Sequence, residues 1–274
     1  MKDVKQLLQA IYSKDLEEKK IWYSSVAEAY DQARPRYPQP LINRAVELAQ
    51  LPADGIILEV GCGPGTATTA FADLGFSIVA IEPSQESSQL ARHNCSQYPD
   101  VELINSTFEE WQLETGKFHA VLAATSFHWV SKEIRYQKTA DALKENGFLI
   151  LLWNTPPQPN YEVCQLLNQV YQTHAPSLKP CEEIENHQQN LSKMAETVIN
   201  SGKFQDLVSE QLVCEVTYSI DNYLALLSTL SPYIALDPEQ RESLFQGIQE
   251  ILELEVGNSL ETSYLSVLQI AKKI

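Results

Sequence analysis

The chain has 274 residues, 44% hydrophobic and 20% charged, with a net charge of −16 at pH 7. That length predicts one large core with a smaller elaboration rather than two independent units, and no run approaches the roughly 18 consecutive apolar residues of a membrane span. The acidic field repels phosphate backbones and anionic membranes, so neither nucleic acid nor a membrane is the expected partner.

The first residues, "MKDVKQLLQAIYSKDLEEKK", are charged and amphipathic. Val4, Leu7, Leu8, Ile11 and Tyr12 fall at helical spacing, and there is no apolar core before a small-residue cleavage site, so a helix and no signal peptide are expected. "YDQARPRYPQP" reads as a loop with fixed corners, and "LINRAVELAQL" as a helix stopped by Pro52. Then the pattern alternates. "GIILEV", "FSIVAIE", "VELINST", "FHAVLAATS" and "FLILLW" read as buried strands. The intervening helices are "TATTAFADL", "SQESSQLARHNC" with Ser84 as N-cap, and "KEIRYQKTADALKEN" ending at Gly147. Apolar strands alternating with helices predict an α/β fold, a doubly wound parallel sheet covered on both faces. Residues 154–205 break the rhythm, opening on "NTPPQPN", and read as a helical insertion over the sheet's carboxyl edge. "LVCEVTYSI" resumes strand character, two helical stretches follow, and "TSYLSVLQIAKK" is expected to be a final strand. The five cysteines are scattered without a C-x-x-C pair, which predicts reduced thiols in a cytoplasmic protein.

"LEVGCGPGTAT" places three of the chain's ten glycines within five residues, between a strand and a helix. Bare backbone there turns tightly and lets a ligand approach, and the new helix offers free N–H groups. A phosphate-binding P-loop is ruled out because no Gly-Lys follows. A dinucleotide turn reads G-x-G-x-x-G, whereas Gly61, Gly63 and Gly65 read G-x-G-x-G with Thr66 in the last place. Glu82 closes the second strand, where an acid accepts both ribose hydroxyls of an adenosine ligand.

"ILEVGCGPGTAT" resembles the first motif of the class I S-adenosylmethionine-dependent methyltransferases, through Glu59, Gly61, Gly63 and Gly65. "IVAIEPS", "INSTFEEW", "FHAVLAATSFHWV" and "LKENGFLILLW" resemble motifs two to five, in order, across residues 25–153. "AYDQARPRYP", "TSFHWV" and "YLALLSTLSPYIAL" are similar to the small-molecule methyltransferases related to trans-aconitate methyltransferase, in the type 11 group. The resemblance implies a mostly parallel seven-stranded sheet and S-adenosyl-L-methionine as cofactor. It further implies a small-molecule methyl acceptor, with Glu82 on the ribose, Thr107 and the Phe108 N–H near the adenine, and Ala124 beside the cofactor. It organises the chain as an N-terminal helical segment over the active site (1–52), a cofactor-binding core (53–153), a helical lid (154–205) and a C-terminal completion (206–274). An NAD-dependent oxidoreductase and a non-enzymatic cofactor-binding protein are the alternatives.

Methyl transfer from a sulfonium needs the nucleophile held about 3–3.5 Å from the methyl carbon in a dry pocket. Phe127, Trp129 and Trp153 stand just past strand ends, as pocket walls or as core. His128 between two aromatics is the candidate base for a hydroxyl acceptor, or a structural hydrogen bonder; a carboxylate acceptor needs no base. Arg34, Arg36 and Arg44 gather before the glycine turn, either to grip a carboxylate or to pair with Glu28, Asp31 and Glu47. Pro35 pushes Arg34 toward extended backbone, so only one of Arg34 and Arg36 faces the pocket; Arg34 is the expected one, with the Tyr30 and Tyr37 hydroxyls orienting the acceptor. No histidine spacing suggests a metal.

Overall fold

The computed structural model describes residues 10–274. Of the N-terminal helical pattern, Val4, Leu7 and Leu8 lie outside the described residues, while residues 10–12 are helical. Two short helices follow, α1 (Leu16–Ile21) and α2 (Ala27–Ala33), then α3 (Gln39–Leu48). Asp15 starts α1 with a capping box, its carboxylate accepting from the Glu18 N–H. The segment expected as one loop is therefore part helix: α2 carries Tyr30, and only residues 34–38 form the linker.

The core alternates as the pattern predicts: β1 (Ile56–Val60), α4 (Thr66–Ala72), β2 (Ser77–Ile81), α5 (Gln85–Asn94), β3 (Val101–Ile104), β4 (Phe118–Ala124), α6 (Arg135–Ala142) and β5 (Leu143–Asn154). Ser84 caps α5, its hydroxyl accepting from the Ser87 N–H. The helix expected to reach Gly147 stops at Ala142, because Leu143 already pairs with Phe118 across a register shift and Asn146 turns with φ 63°. The chain continues through β6 (Gln158–Pro159), α7 (Tyr161–His174), α8 (Ile184–Asn200), β7 (Phe204–Ser219), α9 (Ile220–Ser228), α10 (Ser231–Ile234), α11 (Pro238–Glu255) and β8 (Ser259–Lys273).

The strands β3, β2, β1, β4 and β5 lie side by side and parallel, and β8 adds antiparallel to β5. Because β7 pairs along the whole of β8, β5 and the two-residue β6 share the other edge of β8. The eight assigned strands thus occupy seven positions. Successive strand residues feed opposite faces. Leu58, Val60, Val79, Ile81, Val121 and Ala123 pack on one face with α6 and Val198 of α8. Ile57, Ile78, Ala80, Ala120 and Leu122 pack on the other with Leu41 and Ile42 of α3 and Phe71 of α4. Each fully buried large side chain here stabilises by about 1.5–3 kcal/mol relative to exposure.

A third core joins α7, α9 and α11 through Leu167, Tyr171, Tyr223, Leu226, Leu244 and Ile248. The two helices of residues 154–205 therefore pack in different places, α7 in this core and α8 against the sheet. The expectation of five reduced thiols is corrected: Cys164 of α7 and Cys181 are disulfide-bonded, with Cα atoms 5.9 Å apart, while Cys62, Cys95 and Cys214 are free. Bridging residues 17 apart restrains the unfolded chain by about 3 kcal/mol. No described helix is long and apolar enough to cross a membrane.

Candidate active site

The glycine loop is pinned at the carboxyl ends of β1 and β2. Both the Gly61 and Cys62 N–H groups donate to the Ile81 carbonyl, at 2.8 and 3.1 Å. Gly61 has φ 70°, and a Cβ there would lie 2.7 Å from the Ser126 Cβ, so the β4 loop leaves no room for a side chain. Gly63 has φ 56° and open space where its Cβ would be. Glu82 spans the loop: its two carboxylate oxygens accept from the Gly63 and Ser84 N–H groups, each at 2.8 Å. Burial pushes the Glu82 carboxyl up to about 7, with those two N–H donors pulling the other way.

A cavity of about 430 Å³ opens above these strand ends, the size of a cofactor or drug-sized site. Gly61, Gly63, Glu82, Thr107, Phe108, Ala124, Tyr30, Arg34, Tyr37, His128 and Trp129, all expected site residues, line it. Thr107 has its hydroxyl engaged with Glu110, donating to the carboxylate at 3.0 Å and accepting from the Glu110 N–H at 3.1 Å. The Phe108 N–H has no acceptor among the described residues. Glu82, the bare Gly63 backbone and the Phe108 N–H thus stand together on the cavity wall.

Four expected site residues do not line the cavity, and two of them correct the expected walls. Phe127 is fully buried, with the Arg135 guanidinium 5.5 Å over its ring. Trp153 follows Leu149 and Leu151 onto the α6 face of the sheet and donates its indole N–H to Gln269 at 3.1 Å. Glu59 and Gly65 lie behind the loop. Glu59 is buried, accepts from the Thr68 hydroxyl at 2.6 Å, has no partner for its second oxygen among the described residues, and is pushed by burial up to about 8. Gly65 backs onto Cys95, whose sulfur would lie 3.1 Å from an added Cβ.

The arginines separate. Arg34 turns into the cavity lining, where its Nε and one Nη donate to the Thr229 hydroxyl and carbonyl, both at 2.8 Å, and its guanidinium lies 4.8 Å over the Tyr30 ring. Arg36 is exposed and pairs with Asp31 at 3.0 Å. Arg44 pairs with Glu47 at 2.7 Å and Glu210 at 2.9 Å. His128 faces the cavity, but burial and then the Arg135 charge push its imidazole down to about 3, so it is neutral at physiological pH. Tyr37 shares a hydrogen bond of 2.8 Å with the Thr125 hydroxyl, and Thr125 itself holds φ 55°, a strained value for a β-branched residue.

Residues not anticipated complete the lining: Tyr12 and Tyr23 from the N-terminal segment, Glu182 and His187 near α8, and Ser231 of α10. Ser231 is reached by the Trp22 indole at 3.3 Å and the Tyr23 hydroxyl at 2.9 Å. The aromatic density of the first thirty residues was the available signal; nothing local marks Ser231, whose position depends on the third core.

Residues 57–147 match a family model described as a methyltransferase domain. An uncharacterized methyltransferase of Mycobacterium tuberculosis is 31% identical over 133 residues, 48% of this chain and 52% of that protein, so the chain spans about half the length of that curated relative. An uncharacterized methyltransferase of Schizosaccharomyces pombe is 23% identical over 227 residues, 82% of this chain and 84% of that one. A solved structure from Anaeromyxobacter dehalogenans, provisionally assigned as a type II methyltransferase, shares the fold with TM-score 0.65 at 19% identity, over 87% of this chain and 97% of that one. Domain match, relatives and sheet order agree with the motif series: residues 57–147 are similar to a methyltransferase domain, and the fold is that of the solved structure.

Proposed function

We propose that the protein transfers a methyl group to a small organic acid, whose carboxylate is held by Arg34. The observation that carries this reading is the state of Arg34. In a chain of net charge −16, it lines the cavity with no carboxylate within 4 Å among the described residues, and Thr229 fixes two of its donors. The remaining guanidinium N–H groups are left for a ligand. When bound, S-adenosylmethionine supplies an electrophilic methyl group. The chain's own part is to hold and to desolvate: Glu82 takes the ribose hydroxyls, the Phe108 N–H meets the adenine edge, and Arg34 with the Tyr30 hydroxyl orients the acceptor. A carboxylate acceptor requires no base, which suits the neutral His128. Residues 154–205, which contribute Asn154, Glu182 and His187 to the lining, act as the lid. The acidic surface favours a small molecule over nucleic acid.

Calorimetry tests the cofactor first. S-adenosylhomocysteine should bind with micromolar affinity, about 8 kcal/mol, and NADH should not; the reverse would restore the oxidoreductase alternative. With an acceptor in hand, Arg34→Lys should raise KM at least tenfold, because a lysine keeps the charge and loses the fork anchored on Thr229. Arg36→Lys should leave KM within twofold. Greater damage from Arg36→Lys would remove the carboxylate reading. Amide exchange across 154–205 should slow when S-adenosylhomocysteine and acceptor are both present; equal exchange in both states would make this stretch a fixed wall.

A further inference from the structure

The acceptor half of the cavity is a box of aromatic rings. Tyr12 meets His128 and Trp129 edge-on, with centroids 4.9 and 5.1 Å away. Tyr23 meets Trp129 at 5.5 Å and Tyr30 at 5.8 Å. All five side chains line the cavity. The box stands after β4 and under α1 and α2, whereas Glu82 and Phe108 mark the cofactor side at the ends of β2 and β3. Since β1 lies between β2 and β4, the strand ends that lead to Glu82 and to His128 and Trp129 are about 10 Å apart, two strand spacings. His128 and Trp129 are thus lateral to the strand end that carries Glu82.

Charge around the box is sparse and one-sided. Lys19 donates to the Trp129 carbonyl at 3.4 Å, and Lys20 is occupied by Glu17 at 2.7 Å and Glu110 at 3.1 Å. Arg34 and Lys19 are the lining cations without a carboxylate partner among the described residues, and Arg34 already stacks on Tyr30. A cationic acceptor would meet that guanidinium at the box wall. A polyanionic acceptor would find two cations without a carboxylate partner among the described residues, Lys19 and Arg34, against three lining acids, Glu82, Glu109 and Glu182.

From this arrangement we infer that the acceptor presents a flat, apolar, aromatic-sized body to the box of Tyr12, Tyr23, Tyr30, His128 and Trp129, with a single carboxylate at its Arg34 end. This deepens the organic-acid reading and rests on it for the carboxylate, while the box stands on its own geometry. It separates the protein from enzymes that methylate small polyacids, because ring faces reward apolar contact and edge-to-face packing rather than multiple charges.

Calorimetry on protein saturated with S-adenosylhomocysteine, using benzoate, benzyl alcohol and tricarballylate as probes, tests this. Benzoate should bind at least tenfold more tightly than tricarballylate. Trp129→Ala and, independently, Tyr12→Leu should weaken benzoate about tenfold while S-adenosylhomocysteine affinity stays within twofold, which also shows that each variant is folded. Tighter binding of tricarballylate, or no binding of either aromatic probe, overturns the inference. If benzyl alcohol matches benzoate and both depend on Trp129, the aromatic body stands and the carboxylate reading falls. If Trp129→Ala weakens S-adenosylmethionine but not S-adenosylhomocysteine or benzoate, the rings serve the sulfonium cation and the inference is overturned.

Discussion

Gly61→Ala is expected to lower stability by about 2–5 kcal/mol and to remove measurable cofactor binding, while Gly63→Ala, two residues away, leaves the fold nearly intact. Both glycines hold positive φ, 70° and 56°, and an L-residue there gives up about 1–2 kcal/mol. The difference is what the new methyl meets. At Gly61 it would stand 2.7 Å from the Ser126 Cβ and 3.2 Å from its oxygen. Ser126 cannot simply withdraw, because its hydroxyl donates to the Val60 carbonyl and ties the β4 loop to the end of β1. Overpacking of this kind adds about 1–3 kcal/mol. At Gly63 nothing lies within 4 Å, so the methyl enters the open cavity and meets the cofactor instead. Thermal unfolding should therefore show Gly61→Ala down by roughly 5–15 °C and Gly63→Ala by a few degrees, with S-adenosylhomocysteine affinity reduced in both. Equal melting losses would mean that turn strain alone, and not contact with β4, governs the loop.

That contrast marks the boundary of what the chain's pattern discloses. The parallel core was legible because most of its strands are apolar on both faces and most of its helices end on a recognisable stop; α6, which yields to β5 at Leu143 short of Gly147, is the exception. The glycine loop was legible for the same reason: Gly61, Gly63 and Glu82 occupy strand ends, which topology alone brings together. The acceptor side was not. Phe127 and Trp153 flank strand ends as Trp129 does, but one packs under a buried arginine and the other follows the strand's alternation into the sheet core. Which of three adjacent aromatics faces a cavity depends on a one-turn 3₁₀ segment at residues 127–129 that no periodicity announces. Thr229, which anchors Arg34, lies 195 residues away in sequence, and the helices that carry it there are held by the third core. The disulfide escaped for a related reason: Cys164 and Cys181 carry no motif, and only the fold of α7 against the following loop brings them together.

Glu82→Ala is expected to weaken S-adenosylhomocysteine binding at least tenfold and to destabilise the unliganded protein as well. A side chain that only faced a ligand could be removed without touching the apo fold. Glu82 instead receives the Gly63 and Ser84 N–H groups, so its loss leaves two backbone donors beside the cavity without their acceptor, an effect of about 1–3 kcal/mol. The ligand loses charge-assisted hydrogen bonds of about 1.5–3 kcal/mol, a factor of about 10–150. Protonation supplies the sharper test. Burial raises the Glu82 carboxyl from 4.5 to about 7 in the folded protein. A folded value above the unfolded one means the group's contribution to stability is fully present below about 4.5 and is lost as pH rises through about 7. Glu59, raised to about 8, acts in the same direction. Cofactor affinity has the opposite sign, because ribose hydroxyls donate to a carboxylate better than to a carboxylic acid. S-adenosylhomocysteine should therefore bind the wild type more tightly at pH 8 than at pH 6, with the rise centred near 7. Glu82→Gln, uncharged throughout, should bind weakly with a flat profile over that range. A profile in Glu82→Gln that parallels the wild type would place the titrating group elsewhere in the loop, with Glu59 as the next carboxyl to exchange, and would take the ribose contact away from Glu82.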